Sequence, residues 1–62
     1  MNSEEERDLF EAYGWERNLV KRYWLAPAGV KLPVDDVMVL TDTQEGEAYL
    51  RRVIARYGRT KQ

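Results

Sequence analysis

Neither cysteine nor histidine occurs among the 62 residues of this chain. Disulfides and zinc sites built on those residues are the usual staples of so small a domain, and neither is open to this fold. A chain near 60 residues buries only about 60% of the surface its unfolded form exposes, so its core must be thin. Two routes to stability remain: efficient packing of large side chains, or assembly with another chain. Phe10, Tyr13, Trp15, Tyr23, Trp24, Tyr49 and Tyr57 supply large bodies for the first route. The length allows one domain, residues 1–62, with fraying expected at residues 1–2 and 60–62.

Punctuation divides the chain into short elements. Ser3 followed by Glu6 has the spacing of a capping box, and Gly14 offers the left-handed position that ends a helix. Between them Leu9, Phe10 and Tyr13 form a narrow apolar stripe, too short to stand without docking on something. Arg17–Ala26 is rich in strand formers, and Val30–Leu32 follows across Pro27-Ala28-Gly29. Proline at the second turn position and glycine at the third loop position are the marks of a three-residue hairpin loop. Pro33 limits the second strand because it cannot donate to a ladder. Val37–Leu40 is a short apolar run before Thr41-Asp42, and it is expected to form a third strand.

The final helix is expected over Thr43–Tyr57, started by Asp42 with Glu45 or by Thr41 with Gln44 and stopped at Gly58. Leu50, Val53, Ile54 and Tyr57 repeat at helical spacing, and Arg52, Arg56 and Arg59 form a basic stripe opposite them. Gly46 lowers helix propensity in the first turn, which points to close packing against a bulky neighbour such as Trp15 or Trp24. The expected fold is a small α+β domain in the order α-β-β-β-α.

Several functions fit the composition poorly. Histidine and cysteine are the commonest general base and the strongest nucleophile, and Ser3, the single serine, is accounted for as a cap. Asp35 and Asp36 are neighbours whose side chains diverge on an extended strand, so they do not converge on a substrate. With Asp42 and Glu45 they lack the spacing of an EF-hand loop. The glycines stand singly rather than in a phosphate-binding loop. We therefore expect no enzyme activity, no cofactor and no metal. The acidic start is unlike a targeting segment, and no uncharged stretch approaches the roughly 20 apolar residues of a membrane span. A cytoplasmic location is the corresponding expectation.

Charge is segregated along the chain. Residues 1–16 carry six acids and one base, 17–31 four bases and no acid, 32–47 five acids and no base, and 48–62 five bases and no acid. Acids at helix starts and bases at helix ends complement the helix dipole, which accounts for most of three blocks. The acid-free hairpin block is left over, and the apolar residues on both faces of an extended 17–26 suggest a second covered surface. The primary expectation is a protein-binding or self-associating module, with Val20, Arg22, Tyr23 and Trp24 meeting a protein partner or a second copy in a homodimer. One alternative is nucleic-acid binding through Arg17, Lys21, Lys31, Arg52, Arg56 and Arg59 beside the hairpin aromatics. Another is inhibition of a larger enzyme through an acidic surface joining Glu4, Glu5, Glu6, Asp8 and Glu11 to Asp35 and Asp36.

The stretch Tyr23–Leu32, with aromatics before a Pro-x-Gly turn and Gly14-Trp15 upstream, resembles the hairpin of methyl-CpG-binding domains. The likeness ends after Leu32, where Pro33 replaces a basic continuation, and the N-terminal helix is foreign to that family. No membership follows from it.

Overall fold

A computed structural model describes residues 1–59; the fraying expected at 60–62 and the basic Lys61 lie outside the described residues. The elements are α1 (Ser3–Ala12), β1 (Glu16–Asn18), β2 (Tyr23–Leu25), β3 (Lys31–Pro33), α2 (Val34–Leu40) and α3 (Gln44–Tyr57). The strands form one antiparallel sheet in the order β1-β2-β3. The α+β class holds, as do the number of strands, the first helix and the last. The strands, however, are drawn differently from the sequence than expected.

The run Arg17–Ala26 is two strands rather than one. Asn18 folds its side chain forward, and its amide oxygen accepts from the backbone N–H groups of Val20 (3.1 Å) and Lys21 (2.9 Å). Asparagine used this way offers the backbone a turn in place of a ladder. The chain reverses over residues 19–22, Arg22 N–H donates to the Asn18 carbonyl at 2.8 Å, and Tyr23 comes back opposite Asn18. The second hairpin matches its expectation. Gly29 N–H donates to the Ala26 carbonyl at 2.9 Å, and Ala26 N–H to the Val30 carbonyl at 2.8 Å.

Val37–Leu40 is helix, not strand, which corrects the expected third strand. Pro33 ends β3 in extended geometry (φ −60°, ψ 141°) and serves as the N-cap of α2. Asp35 and Asp36 then occupy the first turn, where the helix dipole favours acids. Val34, Val37 and Leu40, spaced i, i+3, i+6, turn inward, and Met38 and Val39 are left exposed.

Caps differ from expectation by one or two residues. At α1 the Asn2 side chain, not Ser3, accepts from Glu5 N–H at 2.8 Å. At α3 the hydroxyl of Thr43 accepts from Gly46 N–H at 2.9 Å. Past α1, Gly14 N–H donates to Glu11 and Trp15 N–H to Phe10, a Schellman closure that requires the left-handed Gly14 (φ 81°). Gly58 does stop α3 but in extended geometry, and Arg59 N–H beyond it donates to the Tyr13 carbonyl at 2.6 Å.

The core is Phe10, Trp15, Trp24, Ala26, Val37, Leu50 and Ile54, drawn from every helix, the central strand and two connections. Phe10 stacks on Trp24 at 4.2 Å between centroids and meets Trp15 edge-on at 5.2 Å. The buried Trp15 indole N–H donates to the Ile54 carbonyl at 2.9 Å, so its one polar atom is satisfied. Gly46 packs against neither tryptophan: a side chain there would fall on the Leu40 carbonyl at the end of α2.

Register sorts the sheet into two faces. Arg17, Trp24 and Leu32 stand opposite one another on the face turned to the core, with Trp24 buried, Leu32 half-buried and Arg17 exposed at the edge. Glu16, Leu25 and Lys31, with Asn18, Tyr23 and Pro33, make the other face, whose residues are all exposed or half-buried. Leu19 and Val20, which would give an unbroken 17–26 strand apolar residues on both faces, belong instead to the turn between β1 and β2.

Candidate functional site

The tip of the β1–β2 hairpin is the most exposed apolar feature of the sheet. Leu19 is 72% and Val20 91% exposed, and Lys21 and Arg22 beside them are exposed as well. Two neighbouring aliphatic side chains at a tip do nothing for the core. Their position is nevertheless well defined, because the Asn18 side chain fixes the first half of the turn and the Arg22 carbonyl accepts from Val34 N–H at 2.9 Å in the second.

Arg22 is the one non-glycine among the described residues with a positive φ, 60°. A left-handed conformation costs an L-residue roughly 1–2 kcal/mol, and glycine or asparagine is the ordinary occupant. What holds it there is a hydrogen bond from its N–H to the Asn18 carbonyl, one to its carbonyl from Val34 N–H, and an exposed ion pair with Asp35 of α2 at 3.2 Å. Such pairs are worth about 0.2–1 kcal/mol. Strain that the surrounding hydrogen bonds hold in place is often found at working surfaces. Arg22→Gly is expected to raise stability by no more than about 0.5 kcal/mol, because the relief of strain only narrowly exceeds the lost pair and the added freedom of the unfolded chain. A thermal melt checks the sign: a fall in the midpoint would mean that Arg22 is there for stability.

Trp24 does not belong to this surface. It is 1% exposed and stacked on Phe10, which removes it from the expected partner-binding set of Val20, Arg22, Tyr23 and Trp24. Val20 and Arg22 lie on the tip, and Tyr23 is half-buried on the open sheet face. Leu19 was missed. The signal for it was an aliphatic pair held between a turn-forming asparagine and two bases.

The basic residues are scattered over the molecule rather than gathered on one face. Arg17 lies 5.5 Å from the Trp24 ring centre on the inner face, whereas Lys31 lies 5.2 Å from that of Tyr23 on the open one. Lys21 is on the tip, and Arg52 and Arg56 are exposed on α3, with Arg56 5.7 Å from the Tyr57 ring. Arg59 follows α3, its backbone tied to Tyr13. Cations over aromatic faces are attracted by the ring quadrupole, so three of the six bases singled out from the sequence have a structural use. Among the acids, burial pushes the Glu6 carboxyl above its ordinary range, against the lowering influence of Arg17.

A second feature lies across α2 and α3. Leu32, Asp36, Val39, Leu40 and Tyr49 line an open groove of about 330 Å³. Val39 is 69% and Tyr49 52% exposed, so the groove is apolar surface left in contact with water. Among the described residues no cluster of three or more potential metal ligands is present, and no helix is long and apolar enough to cross a membrane.

No protein-family model, curated protein or solved structure matches this chain. Its functional reading therefore rests on the tip and the groove themselves.

Proposed function

We propose that this chain is a small non-enzymatic interaction module whose working surface is the hairpin tip Leu19–Arg22. The observation that carries the reading is the combination of a 91% exposed Val20 with a turn clamped on both sides. An apolar side chain held in one place in water binds a partner without first losing conformational freedom, which is where much of the cost of association lies. Lys21 and Arg22 add a positive rim, which favours a partner with acidic groups around an apolar recess. The nucleic-acid alternative draws less support, because Trp24, its largest stacking platform, is buried and covered by Arg17.

The test is a photo-crosslinking residue at position 20, compared with the same residue at exposed Glu4, in cells of the source organism. A defined adduct from position 20 alone is expected. The purified partner should then bind Val20→Asp at least about tenfold more weakly, a difference of roughly 1.4 kcal/mol, with the melting temperature unchanged. Equal adducts from both positions, or binding indifferent to Val20→Asp, would sink the reading.

A further inference from the structure

The tip and the groove are complementary to each other. The tip is an aliphatic pair, Leu19 and Val20, flanked by Lys21 and Arg22, in the stretch 17–31 that contains no acid. The groove is mostly apolar, lined by Leu32, Asp36, Val39, Leu40 and Tyr49, and all but Tyr49 come from the stretch 32–47 that contains no base. One chain thus carries an apolar knob flanked by two bases and an apolar recess with one carboxylate, Asp36, in its lining. The two blocks already meet at their margin, where Arg22 pairs with Asp35 at 3.2 Å, one residue from the acid of the groove.

We infer that the occupant of the groove is the hairpin tip of a second copy of this chain. This rests on the reading of the tip as the working surface and names its partner. The knob cannot enter its own groove, because Arg22 N–H and the Arg22 carbonyl hold the tip to the sheet and to the start of α2. In a pair related by a twofold axis each tip enters the other groove, so the contact is made twice and closes at two copies. Lys21 of one copy then faces Asp36 of the other, which sets the orientation, while Leu19 and Val20 cover Val39 and Tyr49. The mutual arrangement also explains why two separate apolar patches coexist on so small a surface: each is the cover of the other.

Sedimentation equilibrium of the full chain over a concentration series from low micromolar to near-millimolar tests this. The weight-average mass of the native chain is expected to climb toward twice the monomer mass. Val20→Asp and Val39→Lys are both exposed substitutions that leave the fold intact, and each alone is expected to stay monomeric. Mixed in equal amounts they are expected to associate again, since one native tip meets one native groove and the altered pair brings an aspartate to a lysine. A native chain that stays monomeric throughout overturns the self-pairing, and if position 20 still crosslinks to a different protein the tip reading survives alone. A dimer broken by Val20→Asp but not by Val39→Lys means tip against tip and overturns the groove as the seat. A dimer indifferent to both variants overturns the self-pairing and leaves the tip without a role in it.

Discussion

Trp24→Ala is expected to remove half or more of the domain's stability, moving its unfolding midpoint far down in urea. Replacing a buried tryptophan by alanine costs about 3–5 kcal/mol. A domain of this length has roughly 3–9 kcal/mol in total, at about 0.05–0.15 kcal/mol per residue. The loss is concentrated because Trp24 has no substitute: its ring stacks on Phe10, and Phe10 in turn braces Trp15 at its edge. Removing the middle strand's one buried side chain leaves the sheet attached to the helices mainly through half-buried Leu32 and the loop residue Ala26. Circular dichroism through a urea titration checks this, with Val20→Ala as the control within about 0.5 kcal/mol of the native protein. A Trp24→Ala protein with a sharp transition near the native midpoint would show that the core drawn around Phe10 is wrong.

The second large effect carries an unusual sign. Glycine to alanine in a free first turn of a helix stabilises by about 1 kcal/mol. Gly46→Ala is expected to destabilise by about 2–3 kcal/mol, because the new methyl group falls on the Leu40 carbonyl, 2.9 Å from its carbon and 3.0 Å from the capping hydroxyl of Thr43. None of these atoms can move alone. Leu40 ends α2, Thr43 caps α3, and only residues 41–43 join the two helices, so relief requires the helices to part over Val37 and Leu50. The melting temperature should fall by roughly 10–20 °C, with Gln44→Ala in the same turn close to neutral. A rise on Gly46→Ala would place α2 and α3 further apart than described.

The elements with redundant local signals were legible in the sequence. The last helix had four apolar residues in phase, and the second hairpin had Pro27 and Gly29 where the loop needed them. The first hairpin was not, because Arg22 takes a backbone conformation that its residue type disfavours, and Asn18 reads equally well as a polar residue on a strand. Val37–Leu40 misled for a different reason. A window of four apolar residues has no period, and the helical spacing shows only when Val34 is counted with Val37 and Leu40. Gly46 was recognised as a packing position, but its neighbour is a backbone carbonyl that no side-chain pattern could name. Of the proposed site, Val20 and Arg22 are named from the acid-free block and from a 17–26 strand with apolar residues on both faces, whereas the structure has a turn there. The groove was hidden because Leu32, Val39, Leu40 and Tyr49 come from three elements, one of them assigned to the wrong class.

The hydrogen bonds around the end of α3 bear on how the chain is made. Trp15 donates to the Ile54 carbonyl, Ala28 N–H donates to the Tyr57 carbonyl at 3.4 Å, and Arg59 N–H donates to the Tyr13 carbonyl. The first corner and the second hairpin are thus both fastened to the last helical turn. During synthesis, Trp15 and Trp24 emerge tens of residues before Leu50 and Ile54, the side chains that bury them with Phe10. A domain folds as a unit once its parts are present, so the nascent chain must carry two uncovered tryptophans until residue 59 has cleared the ribosome. A chain cut short between Val34 and Leu50 would hold all three strands without the helix whose Leu50 and Ile54 complete the burial of its tryptophans.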